Sequence, residues 1–227
     1  MIKRWYQKII SLDAEVNKLL HFVEKFAQRD ARVLDVGCGY GRYLVPLKKK
    51  GFDVLGVDKN PKIIKENIEK GINCISLETF SEATSTFDII ICSHIIEHFR
   101  PEELLTFLNF YLSRLEKGGY LIIATPLYSD YFYDDFDHVK PYHPLGLQMV
   151  FGQQQAQVQY YSTHKLEMKD IWFRKSPFMS TFHRAKLFKS AMTRILQMYD
   201  LLMCLLYWGS FRLIGRKDGW VGVFQKC

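Results

Sequence analysis

The chain has 227 residues, of which 48% are hydrophobic and 15% aromatic, so it can form one α/β domain with a sizeable core. This composition excludes a disordered protein. The five cysteines are odd in number and form no C-x-x-C pair, which excludes a disulfide framework and predicts reduced thiols in a cytoplasmic protein. The net charge of +7 is uneven, because residues 181–227 contain eight Lys or Arg and two Asp. A basic segment rich in apolar residues favours an anionic membrane surface over nucleic acid.

Hydrophobic periodicity predicts helices and strands that alternate along the first 126 residues. Apolar residues recur at helical spacing over residues 5–28, which predicts an N-terminal amphipathic helix. Strands are then predicted at 32–37, 53–58, 72–77, 87–92 and 120–125, and helices at 42–50, 60–71 and 101–116. Alternation with short connections predicts a parallel sheet with right-handed crossovers.

The pattern loosens after residue 126. Residues 127–163 are rich in aromatic side chains and predict an insertion or lid. In the C-terminal part, residues 164–227, a strand is predicted at 166–173, helical structure at 185–214 and a short strand at 220–225. The chain shows no internal repeat and no long linker, so we predict a single domain over 1–227, with its core at 30–126.

A glycine-rich turn follows the first predicted strand. The order Asp35-Val36-Gly37-Cys38-Gly39-Tyr40-Gly41 places Arg42 where a dinucleotide-binding turn has its third glycine, and no Gly-Lys-Ser/Thr follows. The turn therefore favours a nucleotide-like ligand without a pyrophosphate. Asp58 ends the second strand and can accept hydrogen bonds from both hydroxyls of a ribose, whereas Asp35 can anchor a cationic group or the turn itself.

Together with Asp58 and the segment Phe87–His98, this turn resembles class I S-adenosylmethionine-dependent methyltransferases over residues 30–126. The resemblance implies a Rossmann-like, mostly parallel seven-stranded sheet whose last strand, at 220–225, is antiparallel. It implies S-adenosylmethionine as cofactor and S-adenosylhomocysteine as product. Glu78 stands where the family usually has an aspartate near the adenine. The cofactor-binding residues implied are Asp35, Gly37, Cys38, Gly39, Gly41, Asp58, Lys59, Glu78, Thr79, Ser93 and His94.

The segment Ser93–His98 resembles quinone-biosynthesis O-methyltransferases, which carry Glu-x-x-Glu-His there and use a divalent cation. This chain has His94 in place of the first glutamate. We therefore assign no metal ligands and expect Glu97 and His98 to cap and brace the following helix. A metal-binding role for this pair is the alternative.

Residues 134–144 resemble the His-Val-x-x-aromatic segment of small-molecule and glycan-associated methyltransferases. His138 is the first candidate for a general base and His143 the second, because an imidazole titrates near neutral pH and can take a proton from a hydroxyl. His94 could line the cleft for cofactor or substrate. Alternatively, the three aspartates at 134, 135 and 137 could bind a cation together with His138.

These features predict O-methylation, in preference to N-methylation, of a small molecule, a sugar or a lipid-linked precursor. Methylation of protein or RNA, and a catalytically silent interaction protein, are the alternatives. A nucleic-acid partner is not expected, because no Asn/Asp-Pro-Pro-aromatic motif follows the fourth strand. The basic C-terminal helix predicts peripheral contact with the inner membrane face, with a solvated basic face as the alternative. Residues 195–211 are short for a spanning helix and contain Asp200, which predicts a packed or surface-lying helix.

Overall fold

The computed structural model describes residues 14–152, 158–180 and 184–227. The first helix, α1, covers Ala14–Phe26 and buries Leu19, Phe22 and Val23. This confirms the described part of the helix predicted at 5–28; residues 5–13 lie outside the described ranges.

The remaining elements include every predicted strand and helix, together with two helices, at Leu77–Glu82 and Pro144–Phe151, that were not predicted. They are β1 (Arg32–Val36), α2 (Leu44–Lys49), β2 (Asp53–Asp58), α3 (Pro61–Glu69), β3 (Cys74–Ser76), α4 (Leu77–Glu82), β4 (Phe87–Ser93), α5 (Pro101–Leu112), β5 (Leu115–Pro126), α6 (Pro144–Phe151), β6 (Leu166–Ser176), α7 (Arg184–Leu187), α8 (Ala191–Gly209) and β7 (Arg216–Lys226). Two 3-10 turns lie at Ile96–His98 and Phe132–Asp134.

The strands form one seven-stranded sheet in the order β3-β2-β1-β4-β5-β7-β6. Strands β1 to β5 pair in parallel, and β7 runs antiparallel to both β5 and β6. The predicted α/β class with a mostly parallel sheet and an antiparallel last strand is thus confirmed. The parallel strands all end at one edge of the sheet, called the carboxyl edge below.

The sheet is apolar on both faces because helices cover it on both sides. Leu34, Ile90 and Leu121 belong to the core cluster on the α5 side. Val33, Ile89 and Ile122 belong to the cluster on the α1 side. This burial explains why the central strands read as continuous apolar runs.

Several boundaries differ from the predictions; β7, for example, begins at Arg216 and not at residue 220. The predicted helix 101–116 ends at Leu112, and β5 begins at Leu115, because Leu115 pairs with Phe87 and an irregularity precedes the regular ladder from Ile89 onward. The predicted strand 72–77 ends at Ser76, and α4 begins at Leu77. Ser76 caps the N-terminus of α4, because its hydroxyl accepts a hydrogen bond from the Thr79 amide at 3.2 Å. The helical segment 185–214 is two helices, α7 and α8.

No helix in the described part of the chain is both long enough and apolar enough to cross a membrane.

Candidate active site

The turn after β1 is held against the end of β2 by backbone hydrogen bonds. The amides of Gly37 and Cys38 donate to the Val57 carbonyl at 2.7 and 3.1 Å, and the Gly39 amide donates to Asp58 Oδ2 at 3.0 Å. Asn67 Nδ2 closes the turn from below by donating to the Gly39 carbonyl at 2.7 Å. These bonds place the turn and the second strand's carboxylate side by side.

Glycine is required in this turn for two different reasons. A Cβ at Gly37 would lie 2.3 Å from Ile95 Cδ1, so the Ile95 side chain would have to move, and the φ of +65° also disfavours a side chain. A Cβ at Gly39 would meet no atom within 4 Å, but its φ of +49° lies in the left-handed region that L side chains rarely adopt. The open space beside Gly39 allows a ligand to approach the backbone closely.

Two carboxylates lie beneath this turn in different states. Asp58 accepts from the Gly39 amide and, at 2.9 Å, from the Asn60 amide, so its orientation is fixed. Asp35 is 1% exposed, and its Oδ2 atom has no hydrogen-bond partner. Burial, and secondarily the charge of Asp58, raise the pKa of Asp35 to about 8. A bound cation would compensate this buried carboxylate.

A cavity of about 700 Å³ opens at the carboxyl edge beside these groups. Of the residues implied by the resemblance, Gly37, Asp58, Lys59 and His94 line it. The other lining residues were not predicted to lie in the cleft; they are Val36, Val57, Leu77, Ile95, His98, Phe99, Phe107, Tyr111 and Asp137. The signal available for residues 95–99 was their position directly after β4, where ligands sit in open α/β sheets.

Other implied cofactor residues lie outside the cavity lining. The Cys38 thiol is buried and lies 3.4 Å from the Cys74 thiol, so it is part of the core. Ser93 Oγ is hydrogen-bonded to the Tyr43 hydroxyl at 2.9 Å. Glu78 lies on α4 and lines a separate shallow groove together with Lys59, and Thr79 occupies the next position of the same helix.

His94 is fixed between two buried carboxylates. Its Nε2 lies 2.7 Å from Glu15 Oε1 on α1, and its Nδ1 lies 3.1 Å from Glu97 Oε1. Burial lowers the pKa of His94, but the hydrogen bonds and charges of these two carboxylates outweigh that effect and raise it to about 9. Both ring nitrogens donate to carboxylates at neutral pH, so His94 is a structural cation without a free nitrogen to accept a proton.

The same network extends to the far strands of the sheet. Arg174 on β6 donates to Glu15 Oε2 at 2.7 Å and to Asp218 Oδ1 at 2.9 Å. Thr125 Oγ1 donates to Glu97 Oε2 at 3.0 Å. The cluster thus joins α1, the end of β4 and the β6–β7 pair behind the cleft.

Comparison with known proteins decides the family. A family model described as a methyltransferase domain matches residues 6–190. The chain belongs to the class I S-adenosylmethionine-dependent methyltransferases. The predicted family is therefore confirmed.

Individual relatives resemble parts of this methyltransferase. The ubiquinone biosynthesis O-methyltransferase of Parvibaculum lavamentivorans is 33% identical over 104 residues, 42% of this chain and 40% of the relative. The chain thus matches about two-fifths of the length of such curated relatives. An S-adenosylmethionine-dependent methyltransferase from Archaeoglobus fulgidus superposes with a TM-score of 0.60 over 94% of each chain at 22% identity. The magnesium protoporphyrin IX methyltransferase of Synechocystis PCC 6803, with bound S-adenosylhomocysteine, gives 0.57 at 13% identity, over 96% of this chain and 84% of that one.

The cleft of this methyltransferase fits the cofactor that its family uses. S-adenosylmethionine carries an ammonium and a sulfonium cation, and a positive group bound beside Asp35 would favour the ionised form of this buried carboxyl, whose Oδ2 has no partner. Asp58 lines the cavity with its carboxylate held by the turn, as contact with ribose hydroxyls requires. The turn itself leaves open space at Gly39.

His98 and His138 form a second group of histidines near the cavity, whereas His143 lies apart from it. His98 lines it, and its ring centroid lies 5.0 Å from that of His138. The Nδ1 atoms of His98 and His138 lie 3.1 and 2.6 Å from the carbonyls of Asp137 and Phe132, so Nδ1 carries the proton and Nε2 is basic in the neutral form of both rings. His143 is exposed, accepts from the Leu145 amide as the N-cap of α6, and does not line the cavity.

One ligand atom each of Glu97, His98 and His138 lies within 4.8 Å of the others, a spacing that could hold a metal ion. Both oxygens of Glu97 already accept hydrogen bonds, from His94 and Thr125. A cation at this position would compete with these donors for the carboxylate. That the protein has no metal site stays a prediction, and the Discussion proposes its test.

Proposed function

We propose that the protein transfers the methyl group of S-adenosylmethionine to a hydroxyl oxygen of a small, aromatic or lipid-linked acceptor. The observation that carries this proposal is the 700 Å³ cavity, whose lining includes Asp58, an aromatic wall and a histidine. Its volume is typical of a site for small molecules. The curated relatives named ubiquinone biosynthesis O-methyltransferase support an oxygen acceptor of this size.

The protein's part in the reaction is mainly alignment. The bound cofactor supplies a methyl group already activated by its sulfonium. Asp58 would hold the ribose and Asp35 the ammonium of the amino-acid end, which fixes the methyl position against the sheet edge. Phe99, Phe107 and Tyr111 line the cavity and would exclude water while stacking on the acceptor. Holding two reactants in line can supply much of the rate enhancement.

The acceptor proton would leave through the pair formed by His98 and His138. Both rings keep Nδ1–H on a backbone carbonyl, which directs the basic Nε2 elsewhere. His98 lines the cavity and would meet the acceptor hydroxyl, while His138, predicted from sequence as the base, packs against His98 and receives or supports the charge. His94 and His143 have no role in proton transfer in this proposal, since His94 is held by two carboxylates and His143 caps α6.

An acceptor screen tests the proposed function. The purified full-length protein is incubated with S-adenosylmethionine and, separately, a soluble phenol, a prenylated phenol, a sugar, RNA and a protein mixture. We expect S-adenosylhomocysteine and a methylated hydroxyl product with one of the first three, detected by mass spectrometry. His98→Asn should lower the rate on the order of a hundredfold without changing cofactor affinity. Methylation of RNA or protein alone would contradict the proposal.

A further inference from the structure

Helix α8 and the loops that flank it expose a continuous apolar surface. Of the 26 large apolar side chains that are exposed among the described residues, 14 lie between residues 187 and 214. We call this segment, 187–214, the α8 surface. Leu205 is 62% exposed, Met198 71% and Phe211 90%. Apolar exposure of this density on one element marks an interaction site.

The polarity of α8 is the reverse of an ordinary surface helix. Its buried residues are Asp200 and Tyr207. Asp200 Oδ1 accepts from the Ser180 amide and hydroxyl, each at 2.8 Å, and the Tyr207 hydroxyl donates to the Lys175 carbonyl at 2.6 Å. The helix therefore attaches to the protein by polar groups and turns its apolar side chains outward.

The charges around the α8 surface distinguish between possible partners. The sequence between residues 184 and 217 contains seven Lys or Arg, and Asp200 is its one acidic residue. Arg194 and Arg212 bracket the apolar stretch, and the Arg212 guanidinium lies 4.8 Å from the Trp208 ring centroid. A second copy of the chain would bring cations against cations, whereas anionic lipid headgroups would neutralise them. Trp208 and Tyr199 are also residue types enriched at the membrane interface.

The α8 surface lies at the same edge of the sheet as the cofactor cleft. Strand β6 ends there, since Ser176 pairs with Arg216 at the start of β7, and Gly219 of β7 pairs with Pro126 at the end of β5. Arg216 also contacts Asp130 in the segment after β5, at 3.3 Å. An acceptor embedded in a bilayer under α8 would therefore lie near the carboxyl edge where the cleft opens.

We infer that the α8 surface docks on an anionic lipid bilayer, with its apolar side chains among the acyl chains and its Arg and Lys residues at the headgroups. This inference deepens the proposed function, and rests on it, by assigning the acceptor to the lipid-linked class. Docking would present such an acceptor to the cleft without its leaving the membrane.

Vesicle flotation tests the inference on the full-length protein. The vesicles are phosphatidylcholine alone and phosphatidylcholine mixed with phosphatidylglycerol. The test variant is Leu205→Glu, and the matched control is Ile68→Glu, because Ile68 on α3 is 59% exposed, close to the 62% of Leu205. Unfolding temperature and S-adenosylhomocysteine affinity, measured for both variants, establish that fold and cofactor site are intact.

We expect the wild type and Ile68→Glu to float with the anionic vesicles, less so at high salt, and Leu205→Glu to lose on the order of tenfold in partitioning. Wild-type protein that stays out of anionic vesicles, or Leu205→Glu that floats like the wild type, would overturn the inference. A dimer that Leu205→Glu dissociates, without flotation, would assign the surface to a second copy and also overturn it. Failure of the proposed function is distinguishable, since flotation would persist while no hydroxyl acceptor is methylated.

Discussion

The cofactor core, residues 32–126, and the C-terminal part that follows it differ in how they use apolar side chains. In the core, the strands bury them between helices on both faces of the sheet. In the α8 surface they point to solvent, and the acidic residue is the one that is buried. The core thus follows the physics of a single stable domain. The α8 surface leaves its apolar side chains uncovered, and the lipid bilayer that we infer as its partner would cover them.

The two regions meet at Glu15, so its substitution should have the largest effect on stability. We expect Glu15→Gln to lower the free energy of unfolding by about 3 kcal/mol, because it removes the buried carboxylate that His94 and Arg174 share. Urea denaturation measures this. Glu24→Gln on the same helix is the control, since Glu24 and Lys50 form an exposed ion pair, and it should cost less than about 1 kcal/mol. Equal effects of the two substitutions would show that the network does not join the regions.

Gly39→Val should affect the core alone. A β-branched residue at a φ of +49° is strained, and its side chain would enter the space beside the cofactor turn. We expect S-adenosylhomocysteine affinity, measured by calorimetry, to fall about a hundredfold. Gly51→Val is the control, because Gly51 has a φ of +92° and open space but precedes β2 at the opposite edge of the sheet. If both variants bind equally well, the turn is not the cofactor site.

Asp35→Asn should make the folded protein more stable at alkaline pH while weakening cofactor binding. The pKa of Asp35 is raised to about 8, so the folded state keeps a proton that the unfolded state releases near 3.8, and wild-type stability falls as the pH rises through this interval. The variant should lose that slope and be more stable than the wild type at pH 8. It should also bind S-adenosylhomocysteine about tenfold more weakly.

Methylthioadenosine, which lacks the amino-acid end, provides the control for Asp35. Its affinity should be nearly the same for wild type and Asp35→Asn. A parallel loss for both ligands would mean that Asp35 supports the turn instead of the ammonium.

The pH response of His94 provides a fourth test. Because its pKa is raised from 6.5 to about 9, its contribution to stability is complete below 6.5 and is lost as the pH rises through about 9. Compared with wild type, His94→Gln should show a smaller loss of unfolding free energy over this interval. Identical pH slopes would mean that His94 is not a cation paired with Glu15 and Glu97. Asp35→Asn as common background removes the overlapping titration of Asp35.

The addition of a divalent metal ion is expected to have the smallest effect on stability. Added Zn²⁺ or Mg²⁺ should leave the unfolding temperature unchanged, because Glu97 already accepts hydrogen bonds from His94 and Thr125. A rise that His138→Asn abolishes would show that Glu97, His98 and His138 bind a cation, and would contradict the prediction that there is no metal site.

The sequence predicts the core well because its signals are local. The apolar strands, the glycine-rich turn and Asp58 can each be recognised within one short segment of the chain. The salt-bridge network could not be predicted, because Glu15 binds both His94 and Arg174, and these three residues lie far apart in the chain. For the same reason, His94 was predicted only to line the cleft, without its carboxylate partners. The position of His98 in the cavity lining was not predicted.

Helix α8 was predicted, but its orientation was not. Its apolar residues occur almost all round the helix, so periodicity does not distinguish a buried face from an exposed one. The hydrogen bonds of Asp200 with Ser180 and of Tyr207 with Lys175 show which side faces the protein.

A crystal structure of the protein soaked with S-adenosylhomocysteine tests the central claim most directly. We predict that the ligand fills the cavity at the carboxyl edge, with its ribose hydroxyls within hydrogen-bond distance of Asp58 and its ammonium near Asp35. A structure in which the ligand binds elsewhere, or in which side chains occupy this cavity at saturating ligand, would contradict the account.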